Sequence, residues 1–158
     1  MPEMTTCLWF DTQAEDAARY YTGIFPNSRI TGIERYGEAG PREQGSVMTA
    51  AFELDGRPFL ALNGGPEFTF TEAVSIQIFC RDQDEVDHYW NALTADGGEE
   101  SQCGWLKDRF GFSWQVIPTR LEELRTDPDR ARAQRAFAAM LSMRKIVIAD
   151  LEAAADAG

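Results

Sequence analysis

The chain has 158 residues, 44% of them hydrophobic and 26% charged, the composition of a folded globular protein and not of a disordered one. A net charge of −11 argues against non-specific nucleic-acid binding, and no apolar run approaches the ~18–20 residues that span a bilayer. The length fits one domain, expected over residues 1–158.

The opening Met1-Pro2-Glu3-Met4-Thr5-Thr6 has neither the basic nor the apolar region of an export signal. Cys7, Cys80 and Cys103 are an odd number without CxxC spacing, as in a reducing compartment. A cytoplasmic location is therefore expected. The charge is uneven: residues 107–145 hold nine Lys/Arg against five Asp/Glu, and the rest of the chain is strongly acidic. This pattern fits either a contact between subunits or a solvated Arg-rich helix face.

Thr6-Cys7-Leu8-Trp9-Phe10 reads as a strand. Thr12 and Glu15 have the spacing of a capping box, and Ala14, Ala17, Ala18, Tyr21 and Phe25 then fall on one helical face that Pro26-Asn27-Ser28 ends. Strand-like runs follow at Arg29–Tyr36, Ser46–Leu54 and Pro58–Asn63. Asp55-Gly56 is the hairpin turn between the last two. The pattern then restarts. Ser75–Cys80 reads as a strand, Asp82 with Glu85 opens a helix, and Val86, Tyr89, Trp90 and Leu93 form its apolar face. Strand-like pieces lie around Gln102–Leu106 and Phe112–Ile117. Beyond Pro118 the chain turns helical, with Asp127-Pro128 as a cap, an apolar stripe of Ala133, Ala136, Phe137, Met140 and Leu141, and a last helix near Ile148–Ala155. That stripe fits packing on the chain's own sheet or a dimer contact.

Tyr20-Tyr21 and Tyr89-Trp90 align helix with helix, and Gly56 and Gly111 precede equivalent strands. The fold class is therefore α+β: two tandem βαβββ modules at about 4–66 and 73–118, then helices at about 119–156.

A tandem βαβββ repeat resembles the glyoxalase, bleomycin-resistance and extradiol-dioxygenase superfamily, also called the vicinal-oxygen-chelate superfamily. Cys7-Leu8-Trp9-Phe10, Phe25-Pro26-Asn27-Ser28, Leu62-Asn63-Gly64-Gly65-Pro66 and Cys103-Gly104-Trp105-Leu106-Lys107-Asp108-Arg109-Phe110-Gly111 look closer still to its PhnB-like family, which is also labelled 3-demethylubiquinone-9 3-methyltransferase. The resemblance implies a cup-shaped sheet whose concave face takes a small-molecule ligand. In metal-using relatives that face carries His and Glu ligands, and the repeat places the equivalent positions at Thr6, Ser75, Leu60 and Gln115. None of the four is His, Asp or Glu, so neither a metal nor another cofactor is expected.

Strand alternation puts Thr6, Leu8 and Phe10 on the cup side of the first strand, and Ser75, Gln77 and Phe79 on that of its repeat. Ser113 and Gln115 join them, and with Leu60 these residues form the expected ligand pocket. His88, the lone histidine, reads as a surface helix residue, and Asp108 as a turn cap or a general acid. Cys103 reads as a structural cysteine unless Lys107 lowers its pKa. No catalytic residue is assigned. Phe10-Asp11-Thr12-Gln13 lacks the Gly-rich turn common in enzymes that use S-adenosylmethionine. The expectation is a metal-independent small-molecule binder that forms a homodimer, with a superfamily enzyme as the alternative.

Overall fold

A computed structural model describes residues 1–158. The chain divides into two compact units, Met1–Thr69 and Phe70–Gly158.

In the first unit β1 (Thr6–Phe10) leads into α1 (Ala14–Ile24), followed by β2 (Arg29–Arg35), β3 (Val47–Leu54) and β4 (Arg57–Asn63). The sheet order is β1-β4-β3-β2, with β1 parallel to β4 and the other pairs antiparallel. Leu54 pairs with Arg57, so Asp55 and Gly56 alone make the turn. Their φ values of 48° and 76° are those of a type I′ hairpin. α1 buries Ala14, Ala17, Ala18 and Tyr21, and Tyr21 stacks on Phe52, which stacks on Phe59.

The second unit repeats this plan. β5 (Ser75–Cys80) and α2 (Gln83–Thr94) precede β6 (Glu99–Glu100), β7 (Trp105–Lys107) and β8 (Ser113–Pro118), in the order β5-β8-β7-β6. β5 is parallel to β8. The tandem βαβββ architecture is thus present, as two four-stranded sheets. α2 begins at Asp82, whose side chain accepts the Glu85 N–H, and buries Val86, Trp90 and Leu93. Three further helices follow: α3 (Thr119–Arg125), α4 (Arg130–Leu141) and α5 (Ile148–Asp156).

Two helix starts differ from expectation. Gln13, not Thr12, precedes α1, and no side chain of that turn caps it. Asn63 at the end of β4 supplies the cap instead, its Oδ1 accepting the Ala14 N–H at 2.8 Å. α4 is capped by Asp129, which takes the Ala131 and Arg132 N–H groups, while Asp127 accepts the Asp129 N–H.

The extension packs against its own module. Leu121, Leu124, Ala136, Ile146, Leu151 and Ala155 cluster on Ile117 of β8. The Met143 and Arg144 carbonyls accept the Cys103 and Gly104 N–H groups, each at 2.8 Å. Gly104, at φ 84°, could not carry a side chain, because a Cβ would stand 2.7 Å from the Val116 carbonyl oxygen and 3.0 Å from Ile146 Cδ1. The expected apolar stripe divides: Ala133 and Ala136 are buried, whereas Phe137 and Leu141 remain 38% and 54% exposed. The basic charge is spent locally, with Arg120 on Glu123 and Glu152, Arg125 on Glu122, Arg132 on Asp127 and Asp156, and Lys145 on Asp87.

Candidate functional site

Residues paired across a ladder project to the same face of a sheet. In the second unit Trp114 and Val116 are buried on the α2 side, so Ser113, Gln115 and Ile117 face the other way. Ser113 is in register with Ser75 and Lys107, and Gln115 with Gln77 and Trp105. Ile117 pairs with Phe79. The face away from α2 thus carries three rows: two hydroxyls with an ammonium, two amides with an indole, and an apolar row.

The middle row is hydrogen-bonded. Gln77 Nε2 donates to Gln115 Oε1 at 3.2 Å, and Gln115 Nε2 donates to Ser75 Oγ at 2.8 Å. In the first row Lys107 Nζ pairs with Glu72 at 2.5 Å. That bond holds the Glu72 carboxyl below its ordinary value and the Lys107 ammonium above its own. The extension's cluster closes the third row at Ile117, while Phe79 is 52% exposed. Ser75, Gln77, Phe79, Ser113 and Gln115 therefore share one face, as expected.

The first unit corrects the expectation. Thr6 pairs with Phe59, Leu8 with Ala61 and Phe10 with Asn63. Phe59 stacks on Phe52 beneath α1, and Asn63 caps α1, so this is the helix-covered face. Leu8 and Phe10, each 4% exposed, are core residues, and Thr6 shares their side. Cys7, in register with Leu60, and Trp9, in register with Leu62, occupy the opposite face. Leu60 keeps its place. The counterparts of Gln77 and Phe79 are therefore Cys7 and Trp9, because a one-residue offset turns every side chain of a strand over. Trp9 Nε1 donates to the Gly65 carbonyl at 2.9 Å, and a Cβ at Gly64 would collide with the Trp9 ring.

Other candidates resolve as structural groups. Asp108 is 2% exposed; its Oδ1 accepts the Phe110 and Phe112 N–H groups and its Oδ2 the Trp114 indole N–H at 2.8 Å. His88 is exposed on α2 with its ring edge to Tyr89. Burial, with Glu85 and Asp82 nearby, pushes the Cys80 thiol up to about 12. A cavity of about 480 Å³ beside the start of α1 gathers Asp11, Glu15, Asp16 and Glu43 around Arg42, which pairs with Asp11 at 3.4 Å.

The donor set does not fit the superfamily's divalent metal. Ser75, Gln77 and Gln115 present two amides and a hydroxyl that bond one another, and no group of three or more His, Cys, Asp or Glu side chains, the acids around Arg42 included, has the geometry to hold a metal ion.

The sequence profile of the family described as 3-demethylubiquinone-9 3-methyltransferase matches residues 2–117. The chain belongs to that PhnB-like family. A solved PhnB protein from Bacillus cereus, carrying the same description, is 34% identical over 74% of this chain and 99% of its own, with a TM-score of 0.67. Protein PA1353 from Pseudomonas aeruginosa is 19% identical over 75% of this chain and 98% of its own, with a TM-score of 0.61. The fosfomycin resistance protein FosX from Listeria monocytogenes is 16% identical over 78% and 97%, with a TM-score of 0.52. The last two show a shared fold alone. A search of curated proteins gives no match. The PhnB-like profile stops at residue 117, so α3–α5 lie outside it.

The sequence alone does not place Lys107 and Trp105 on this face, or Glu72 against Lys107. The first two sit on a three-residue strand, too short to show alternation, and Glu72 precedes any strand. Only the register with Ser113 and Gln115 reveals them.

Proposed function

We propose that this PhnB-like chain binds a small organic molecule on the α2-distal face of its second sheet, through neutral hydrogen bonds and without a metal. The Gln77–Gln115–Ser75 string carries the proposal, because Gln115 and Ser75 put an amide and a hydroxyl at two of the positions where metal-using relatives are expected to place ligands, and Gln77 bonds to them. Such groups orient a ligand while Trp105 and Phe79 supply apolar contact. Screening a metabolite library by thermal shift, on protein purified without chelator, tests it. Gln115→Ala should weaken the hits by about 1–3 kcal/mol, the cost of an unpaired buried partner. Near one zinc, iron or manganese per chain would refute the metal-free form.

The family's description favours a second reading, an enzyme of methyl transfer or of the superfamily's metal-dependent lyase or dioxygenase chemistry. Methylation of a hit by S-adenosylmethionine, or its turnover with added metal, would establish that alternative.

The partner we propose is a second copy of the chain, meeting through Phe137 and Leu141 of α4, and the compartment is the cytoplasm. No helix is long and apolar enough to cross a membrane. A scattering mass near 17.7 kDa at micromolar concentration would rule out the dimer.

A further inference from the structure

Ser113 is the one buried side chain whose polar atom lacks a hydrogen-bond partner, and its residue is 0% exposed. It sits in the middle of the first row, between Ser75 on β5 and Lys107 on β7. Adjacent strands lie ~4.8 Å apart, so the two flanking strands stand about 10 Å apart with β8 between them. Glu72 lies in the segment leading into β5, yet its carboxylate bonds Lys107 on β7. The ion pair therefore engages the cross-strand neighbour of the unpartnered hydroxyl.

An orphaned hydroxyl in register with an ion-paired lysine is a costly arrangement unless something else completes it. Lys107 offers three donor hydrogens, and the Ser75 and Ser113 hydroxyls each have one to give. Together they form a donor set for a carboxylate, which Glu72 fills only in part. Building on the proposed ligand face, we infer that the ligand is an organic acid whose carboxylate displaces Glu72 from Lys107 and accepts the Ser113 hydroxyl. Its body lies along Gln115 and Trp105 toward Phe79. The charge balance favours exchange over addition. Lys107 already faces Glu72 and, across the β6 pairing, Glu99. A second anion would be repelled if Glu72 stayed, whereas a swap leaves the local charge unchanged. Glu72 is thus a built-in competitor that the ligand must outbid.

The competitor makes a distinctive prediction. Benzoate and its uncharged counterpart benzamide are titrated by ligand-observed NMR into the full chain and into the Glu72→Gln, Lys107→Met and Gln115→Ala variants. All four proteins are checked for folding by circular dichroism. Removing the internal carboxylate should tighten benzoate about two- to five-fold, the range of an exposed ion pair, and leave benzamide unchanged. Lys107→Met should abolish the preference for benzoate over benzamide. Equal benzoate affinity in wild type and Glu72→Gln, retention of that preference in Lys107→Met, or no benzoate binding to Glu72→Gln would each overturn the inference. If both probes bind in a way that needs Gln115 but not Lys107, the acid class falls and the ligand face stands. If Gln115→Ala affects neither probe, the ligand face falls as well.

Discussion

Asn63 Oδ1 accepts the Ala14 N–H at 2.8 Å, so the last residue of β4 caps the first turn of α1. The same side chain donates to the Val47 carbonyl at 3.1 Å, and the Asn63 backbone carbonyl accepts the Tyr36 hydroxyl at 2.5 Å. Asn63→Ala would strand two backbone groups at a residue only 5% exposed, and should cost about 1–3 kcal/mol in urea denaturation. Thr12→Ala, at an exposed residue that caps nothing, should stay within about 0.5 kcal/mol. The reverse order would show that the cap is local after all.

Asp108 holds its turn through three donors, one of them the Trp114 indole. Asp108→Ala is expected to lose about 1–3 kcal/mol, since it strands the Phe112 and Trp114 N–H groups in the interior. Asp108→Asn should lose less, because an amide oxygen still serves the backbone. Guanidinium melts of both variants measure this, and equal losses would contradict a turn held through its oxygens.

The Glu72–Lys107 pair sets two pH limits. Glu72 titrates below its ordinary 4.5, so its contribution is full above that value and disappears as pH falls through the lowered one. Lys107 titrates above its ordinary 10.5, so its contribution disappears only as pH rises through the raised one. A carboxyl ¹³C titration of Glu72 should show the depressed midpoint, returning to the ordinary range in Lys107→Met. An ordinary midpoint in wild type would mean that the pair does not form in solution.

The three thiols should differ in reactivity. Cys7 is exposed, Cys103 is partly covered, and Cys80 is buried with its pKa pushed up to about 12. Only the thiolate attacks a disulfide reagent. Partial burial raises the Cys7 thiol too, but its exposure should let it label in native protein, and Cys80 only on unfolding. Early labelling of Cys80 on a mass map would contradict its burial.

The modules were legible in the sequence wherever a local rule decided them. Thr6–Phe10 and Ser75–Cys80 coincide with observed strands, and Asp55-Gly56 demanded its turn. Which face a strand buries needs alternation, and Cys7-Leu8-Trp9-Phe10 offers none, being apolar throughout. Matching the strand starts, Thr6 to Ser75, then inverted the first strand's inward set. Glu99-Glu100 has no strand character of its own and is held by pairing to Lys107 and Leu106. The caps of α1 and α4 slipped because Asn63 lies far along the chain from α1 and two Asp residues flank Pro128. Half of the proposed ligand face was visible as Ser75, Gln77, Ser113 and Gln115. The Lys107 half rests on a tertiary register that no local pattern encodes.

The parallel pairing of β1 with β4 has a kinetic consequence. A strand at the front of the chain can join only after α1, β2 and the tight β3–β4 turn have brought its partner into place, so the closure entropy of that whole stretch falls due before any β1 contact is gained. Leu8→Ala should therefore speed unfolding and leave the refolding rate almost untouched, whereas Phe52→Ala, within the hairpin that forms early, should slow refolding. β5, parallel to β8 across α2, β6 and β7, stands in the same position, so the chain acquires its two sheet edges last and at separate moments.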